Sequence, residues 1–206
     1  MFALIKREIR DHAVYFLAIA LLCALFIALV VFGEQIYWRE IAPGLAIPIF
    51  VILFIVFCMM GSSQMYSDRA GRISALSSTL AVTRSRIFIA RTITGILAIL
   101  ISMLFMLVAM LIVLYYFSLP IHIFRRSIAE VSVTMFLAGL GCYCIGLQLG
   151  WTTTRVMLLI GPAILTPLLI TFVVIKGFDL QAITLLVLFD CLCLVRSHYR
   201  FLSTPL

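Results

Sequence analysis

The residues of this chain with the most chemistry in them are six cysteines, three histidines and an aspartate set inside an apolar run. Cys23, Cys58, Cys142, Cys144, Cys191 and Cys193 invite a metal or redox role, and their spacing argues against one. In each C-x-C pair the two residues sit about 200° apart around a helix, so the thiols point to opposite faces. No C-x-x-C-H haem-attachment sequence occurs. Cysteine is also a small apolar filler of helix contacts, which is the simpler role here. His12, His122 and His198 lie near the ends of apolar runs and do not cluster, and neither H-E-x-x-H nor G-x-S-x-G is present. The two lysines, Lys6 and Lys176, do not close a G-x-x-x-x-G-K-[ST] loop, so any nucleotide hydrolysis belongs to another chain. The expectation is a non-enzymatic chain with no catalytic, cofactor or metal residues. Candidates for transport or intramembrane polar roles remain: Asp190, Gln148, and His122 with Arg125 and Arg126. His122 with Arg125 and Arg126 makes a cationic patch that could meet an anionic substrate or lie in a solvated loop. Asp190 is an acid inside an apolar run, open to structural pairing with Arg196 or a neighbouring helix, or to a proton or substrate role.

The elements that must position these residues follow from composition. Of 206 residues, 65% are apolar and 11% charged, with a mean hydropathy of +1.27. Soluble domains run about 45–50% apolar and about 25% charged, so no soluble surface can be built here. The chain reads as an all-α membrane protein, one domain over 1–206. Six apolar runs are separated by charges: Ala13–Gly33, Ile41–Ser63, Ile93–Leu119, Val131–Trp151, Val156–Ile175 and Leu180–Val195. Five are long enough to cross about 30 Å of hydrocarbon as helices; the sixth is short. The first is expected to be an uncleaved span, since it exceeds a signal-peptide core and Glu34 follows it.

Orientation follows from Lys and Arg in alternate segments. Lys6, Arg7, Arg10, Arg69, Arg72, Arg84, Arg86, Arg91, Arg155, Arg196 and Arg200 fall on one side; Arg39, Arg125, Arg126 and Lys176 fall on the other. Eleven against four puts both termini in the cytoplasm. The net charge of +7 is thereby an orientation signal, and no nucleic-acid partner is implied.

Several segments are more than plain spans. Residues 1–12 carry Phe2, Ile5 and Ile9 at helical spacing among Lys6, Arg7, Glu8 and Arg10. That pattern suits a helix lying in the headgroup layer against membrane lipid, or a basic flank that fixes topology. Residues 66–92 form the largest polar stretch, with Ile73, Leu76 and Leu80 in one helical stripe. A short amphipathic helix held between two spans could seat on a soluble partner; a basic loop would only obey the charge rule. In the fifth run, Pro162 and Pro167 disturb the carbonyls of Leu158 and Ala163, and Thr166 is expected to satisfy a freed carbonyl. In the fourth, Gly139, Cys142, Gly146 and Gly150 make a face of small residues for close helix approach, within one subunit or between two. Gln148 is expected to hydrogen-bond to another helix.

An N-terminal interfacial helix, six spans, and an amphipathic cytoplasmic helix between spans 2 and 3 resemble the permease subunits of type-II ABC exporters. The similarity is carried by Asp68, Gly71, Ile73 and Leu76, by the run Thr83-Arg84-Ser85-Arg86, and by Arg91. Departures are the absent proline, with Ala81-Val82 in its place, Ser74 where an acid is usual, and an outer loop reduced to Lys176–Asp179. The resemblance implies a coupling helix within 66–92 that docks on a separate ABC-type ATPase, with Asp68, Arg69, Gly71, Ile73, Leu76, Leu80, Arg84 and Arg86 as docking residues. It implies ATP bound by that partner, a homodimer or a related second permease, and the bacterial inner membrane. Ile41-Ala42-Pro43-Gly44 and Leu165-Thr166-Pro167-Leu168-Leu169-Ile170 are similar to segments of the haem-exporting permeases of cytochrome c maturation. The alternatives are a membrane scaffold or sensor that transports nothing, and, resting on Asp190, a membrane enzyme.

Overall fold

A computed structural model of the chain describes residues 2–32, 41–70, 84–116, 121–151, 155–176 and 180–203. These residues form seven helices: α1 (Phe2–Asp11), α2 (Ala13–Phe32), α3 (Ile41–Ala70), α4 (Arg84–Tyr116), α5 (Ile121–Leu149), α6 (Arg155–Lys176) and α7 (Leu180–Ser203). Each of the six apolar runs falls on its own helix, α2 to α7, as expected where lipid offers no partner to an open backbone. Among the described residues, Pro48–Tyr66, Ser85–Ala109, Ala129–Leu149 and Leu180–Ser203 are long and apolar enough to cross a bilayer, and Ile160–Lys176 is a shorter apolar helix. The protein is a helical membrane protein.

The chain bends by 72° between Ile5–Asp11 and Ala13–Leu29. The bend is one residue long. His12 still closes α1 by donating its N–H to the Glu8 carbonyl at 3.0 Å, while its own carbonyl accepts from the Tyr15 N–H at 3.0 Å to begin α2.

Two polar stretches between the apolar runs are helical in part. α3 continues past the apolar run to Ala70 and α4 begins at Arg84, so the segment joining them shrinks to residues 71–83. At 1.5 Å per residue, the 33 residues of α4 extend about 50 Å, longer than the hydrocarbon core. α5 begins at Ile121, immediately after Pro120, and takes His122, Arg125 and Arg126 into its first turns.

α5 is the central helix and packs on α3, α4, α6 and α7. Cys142, Tyr143, Cys144 and Leu147 are all fully buried, although they point in different directions around the helix. The C-x-C thiols do diverge, and both are covered because neighbouring helices pack on both of those faces of α5. The small-residue face lies inside the chain. A Cβ on Gly146 would fall on the Cys58 carbonyl, and one on Gly150 would lie 2.6 Å from the Ser62 carbonyl oxygen, so α3 and α5 meet backbone to backbone. In a membrane, where burial of apolar surface between helices gains little, such approach supplies the dispersion contacts that hold helices together.

In α6, Thr166 does not serve the role expected of it. Its hydroxyl is buried, bonds to no backbone carbonyl among the described residues, and faces the Cys58 and Cys142 thiols. The hydroxyl that bonds back to the backbone here is that of Thr171, to the Pro167 carbonyl at 2.8 Å.

Candidate functional site

Four helices converge on a buried polar network. On α1, Glu8 turns inward while Lys6, Arg7 and Arg10 stay exposed. The Glu8 carboxylate accepts from Arg91 Nε of α4 at 3.1 Å, and its second oxygen lies 3.5 Å from His12 Nε2. Side-chain exposure is 12% for Glu8 and 6% for Arg91, so the pair is shielded from water. Burial raises the affinity of Glu8 for a proton, but the His12 hydrogen bond and the Arg91 guanidinium outweigh it and hold the carboxyl below its ordinary range. α1 is therefore pinned to α4 by charge, in addition to any contact it makes with lipid.

The network passes inward through the backbone of Arg91. Tyr143 of α5 directs its hydroxyl at Gln64 Oε1 of α3, 2.7 Å away, with the Arg91 carbonyl at 3.2 Å. Two glycines make room for this side chain. A Cβ on Gly95 of α4 would collide with the Tyr143 ring, and one on Gly61 of α3 would lie 2.5 Å from the Tyr143 carbonyl oxygen. Gly95 is one turn from Arg91 and Gly61 one turn from Gln64, so each helix supplies both the space for the ring and an acceptor for its hydroxyl. α3 and α4 make few direct contacts, and Tyr143 fills the gap between them.

A second polar face joins α5 to α7. Ala182, Leu186, Asp190 and Ser197 form the buried stripe of α7. Gln148 Nε2 donates to the Ser197 hydroxyl at 2.8 Å and to the Cys193 carbonyl at 3.0 Å, the interhelical bond expected of this residue. Seven residues earlier on both helices, Asp190 faces Gly141: Oδ1 lies 3.1 Å from where a Gly141 Cβ would stand. The equal spacing makes α5 and α7 parallel neighbours in a two-turn register. Asp190 is 2% exposed, and neither carboxylate oxygen has a hydrogen-bond partner among the described residues. The expected pairing with Arg196 does not occur. Residues six apart on one helix point about 120° away from each other, and Arg196 is exposed.

Of the residues proposed to dock a partner, Gly71, Ile73, Leu76 and Leu80 lie outside the described residues. Asp68 and Arg69 fall in the last turn of α3, Arg84 opens α4, and Arg86 is exposed on it. Of Glu8, Arg91, Tyr143 and Gln64, the sequence singles out Arg91 alone, as part of the family resemblance, and not its pairing with Glu8. The available signal was an acid, Glu8, standing alone among the cations of α1. Elsewhere, an apolar groove of about 310 Å³ between α4 and α7 is lined by Phe88, Ile93, Leu194 and Val195, with His198 at its edge. Among the described residues, no group of three or more His, Cys, Asp or Glu side chains could hold a metal ion.

No family model, curated protein or solved structure matches this chain. Fold and site together define a polytopic helical membrane protein with two buried polar contacts between its helices.

Proposed function

We propose that the chain is the permease subunit of an ATP-driven exporter: six spans, cytoplasmic termini, α1 in the headgroup layer, and an ABC-type ATPase docked on the segment joining α3 to α4. The observation that carries the reading is the placement of the Gln64–Tyr143–Arg91–Glu8 network. Gln64 precedes Gly71 by seven residues and Arg91 follows Arg84 by seven, so the network ties together the two helix ends between which residues 71–83 are held. A push on that segment would be felt at once by α3, α4, α5 and α1. That is what a subunit needs if hydrolysis in one chain is to move helices in another. The partner ATPase would bind the ATP. A second copy or a related permease would complete the pathway, and the likeness to cytochrome c maturation permeases makes a haem-related cargo the first to try.

The test is affinity purification of the tagged protein in mild detergent, with the eluate assayed for a nucleotide-binding subunit and for ATP hydrolysis. A stoichiometric ATPase that is lost on Leu76→Asp with Leu80→Asp supports the reading. A chain that purifies without such a partner across several detergents, or a double variant that keeps both partner and transport, overturns it in favour of a scaffold or sensor.

A further inference from the structure

We propose that Asp190 is a proton-binding site of the bundle, its carboxyl holding a proton while α7 is seated on α5 and releasing it to water when that contact opens. The residue is 2% exposed, and both its oxygens are without hydrogen-bond partners among the described residues. Around the position of a Gly141 Cβ stand Asp190 Oδ1 at 3.1 Å, Leu169 Cδ1 at 3.5 Å and Phe189 Cε1 at 3.7 Å, so the carboxyl reaches into the notch left by the glycine, beside apolar side chains. The titratable groups near it are thiols: Cys142 and Cys144 from α5, and Cys193 on α7 itself. α6 contributes Leu169 and no charge at this point. No described Lys, Arg or His lies within ion-pair distance of Asp190.

A carboxylate without a countercharge is among the most costly groups to place inside a helix bundle, and neutralising it removes most of that cost. The ligand that neutralises it is identified by what the surroundings lack. A sodium, magnesium or calcium ion needs a shell of several oxygens, and here the neighbours are methyl groups, an aromatic edge and thiols. A proton needs only one carboxylate oxygen. On seating, an O–H bond forms at Asp190 with a proton drawn from water; on opening, that bond breaks and the proton returns to water, with no other reactant. The inference does not rest on the ATPase reading, and a scaffold protein with this packing would bind the proton equally.

The experiment is infrared spectroscopy of the purified full chain at pH 7, with aspartate labelled by carbon-13 at the side-chain carboxyl. A carboxylic-acid carbonyl band that moves with the label, survives in Asp11→Asn, Asp68→Asn and Asp179→Asn, and vanishes in Asp190→Asn is the expected result. Absence of a labelled acid band, or its persistence in Asp190→Asn, overturns the proposal. Should Asp190→Asn not fold, the other three variants still assign the band by elimination. A second readout follows from the release of one proton on unfolding. Relative to Asp190→Asn, the wild-type unfolding constant should rise with pH by up to about tenfold per unit. Parallel pH profiles for the two proteins would also overturn it.

Discussion

Tyr143 on α5 and Gln64 on α3 are joined by a hydroxyl-to-amide hydrogen bond of 2.7 Å between two fully buried side chains, 79 residues apart in sequence. The same hydroxyl is 3.2 Å from the carbonyl of Arg91, the residue whose side chain pairs with Glu8. A phenol therefore stands where the Glu8–Arg91 ion pair meets the contact between α3 and α5.

Removing that hydroxyl should weaken the protein without emptying the slot. Tyr143→Phe takes the shared donor away from Gln64 Oε1 and the Arg91 carbonyl, a loss of about 1–2 kcal/mol for a buried bond. Tyr143→Ala also leaves a cavity and should cost roughly 3–5 kcal/mol. Thermal melts in detergent should rank wild type above Phe and Phe well above Ala. Equal melting points for wild type and Tyr143→Phe would mean that the bond contributes nothing.

Alanine at the glycines of α5 and α6 should separate backbone contacts from side-chain contacts. In Gly146→Ala the new methyl meets the Cys58 carbonyl, which cannot rotate aside, so α3 and α5 must part. A loss of about 3 kcal/mol or more, with falling yield of folded protein, is expected. In Gly161→Ala the methyl meets the tip of Leu149 at 2.9 Å, and a rotamer change relieves it. Its melting point should stay close to wild type, and a drop as large as that of Gly146→Ala would show that α6 is as tightly seated as α3.

The Glu8–Arg91 pair makes stability depend on acid. The Glu8 carboxyl binds its proton less readily in the folded protein than in the unfolded chain. Its contribution is thus fully present above the ordinary carboxylate range and is lost as pH falls through the lower, folded value. Wild type should lose stability on acidification below about pH 5, and Glu8→Gln should flatten that part of the profile. Arg91→Leu leaves the buried Glu8 carboxylate with His12 at 3.5 Å and no guanidinium, and should cost about 3–5 kcal/mol, more than Glu8→Leu with Arg91→Leu together. An additive double variant would show that the two residues do not interact.

The helices were legible because each apolar run is bounded by charge, and the described helices begin and end near those charges. Their overhangs were not. Tyr66–Ala70 and Arg84–Thr92 belong to a polar stretch that suits either a separate amphipathic helix or a basic loop, whereas they prolong α3 and α4 beyond the apolar runs. Gln148 was legible, since an amide in an apolar helix needs a partner on another helix. Glu8 and Arg91 were not. Each looked like part of a topology signal, and their pairing across 83 residues depends on the bend at His12. Tyr143 was hidden for a similar reason: one aromatic in an apolar run resembles filler, and what distinguishes it are Gly61 and Gly95, on two other helices. Asp190 was legible as unusual, and its lack of an ion-pair partner among the described residues was not, because Arg196 is near in sequence and on a different side of the helix.

The notch at Gly141 bears on biogenesis as well as packing. A helix carrying an acid near its middle enters a bilayer at a penalty of roughly 2.5–3.5 kcal/mol from that residue alone. α5 precedes α7 in the chain, so its notch is already in the membrane when Asp190 arrives, and α7 can leave the translocation machinery directly onto it. Filling the notch with a large side chain should then appear as α7 left outside the bilayer, a topology defect in an otherwise inserted protein.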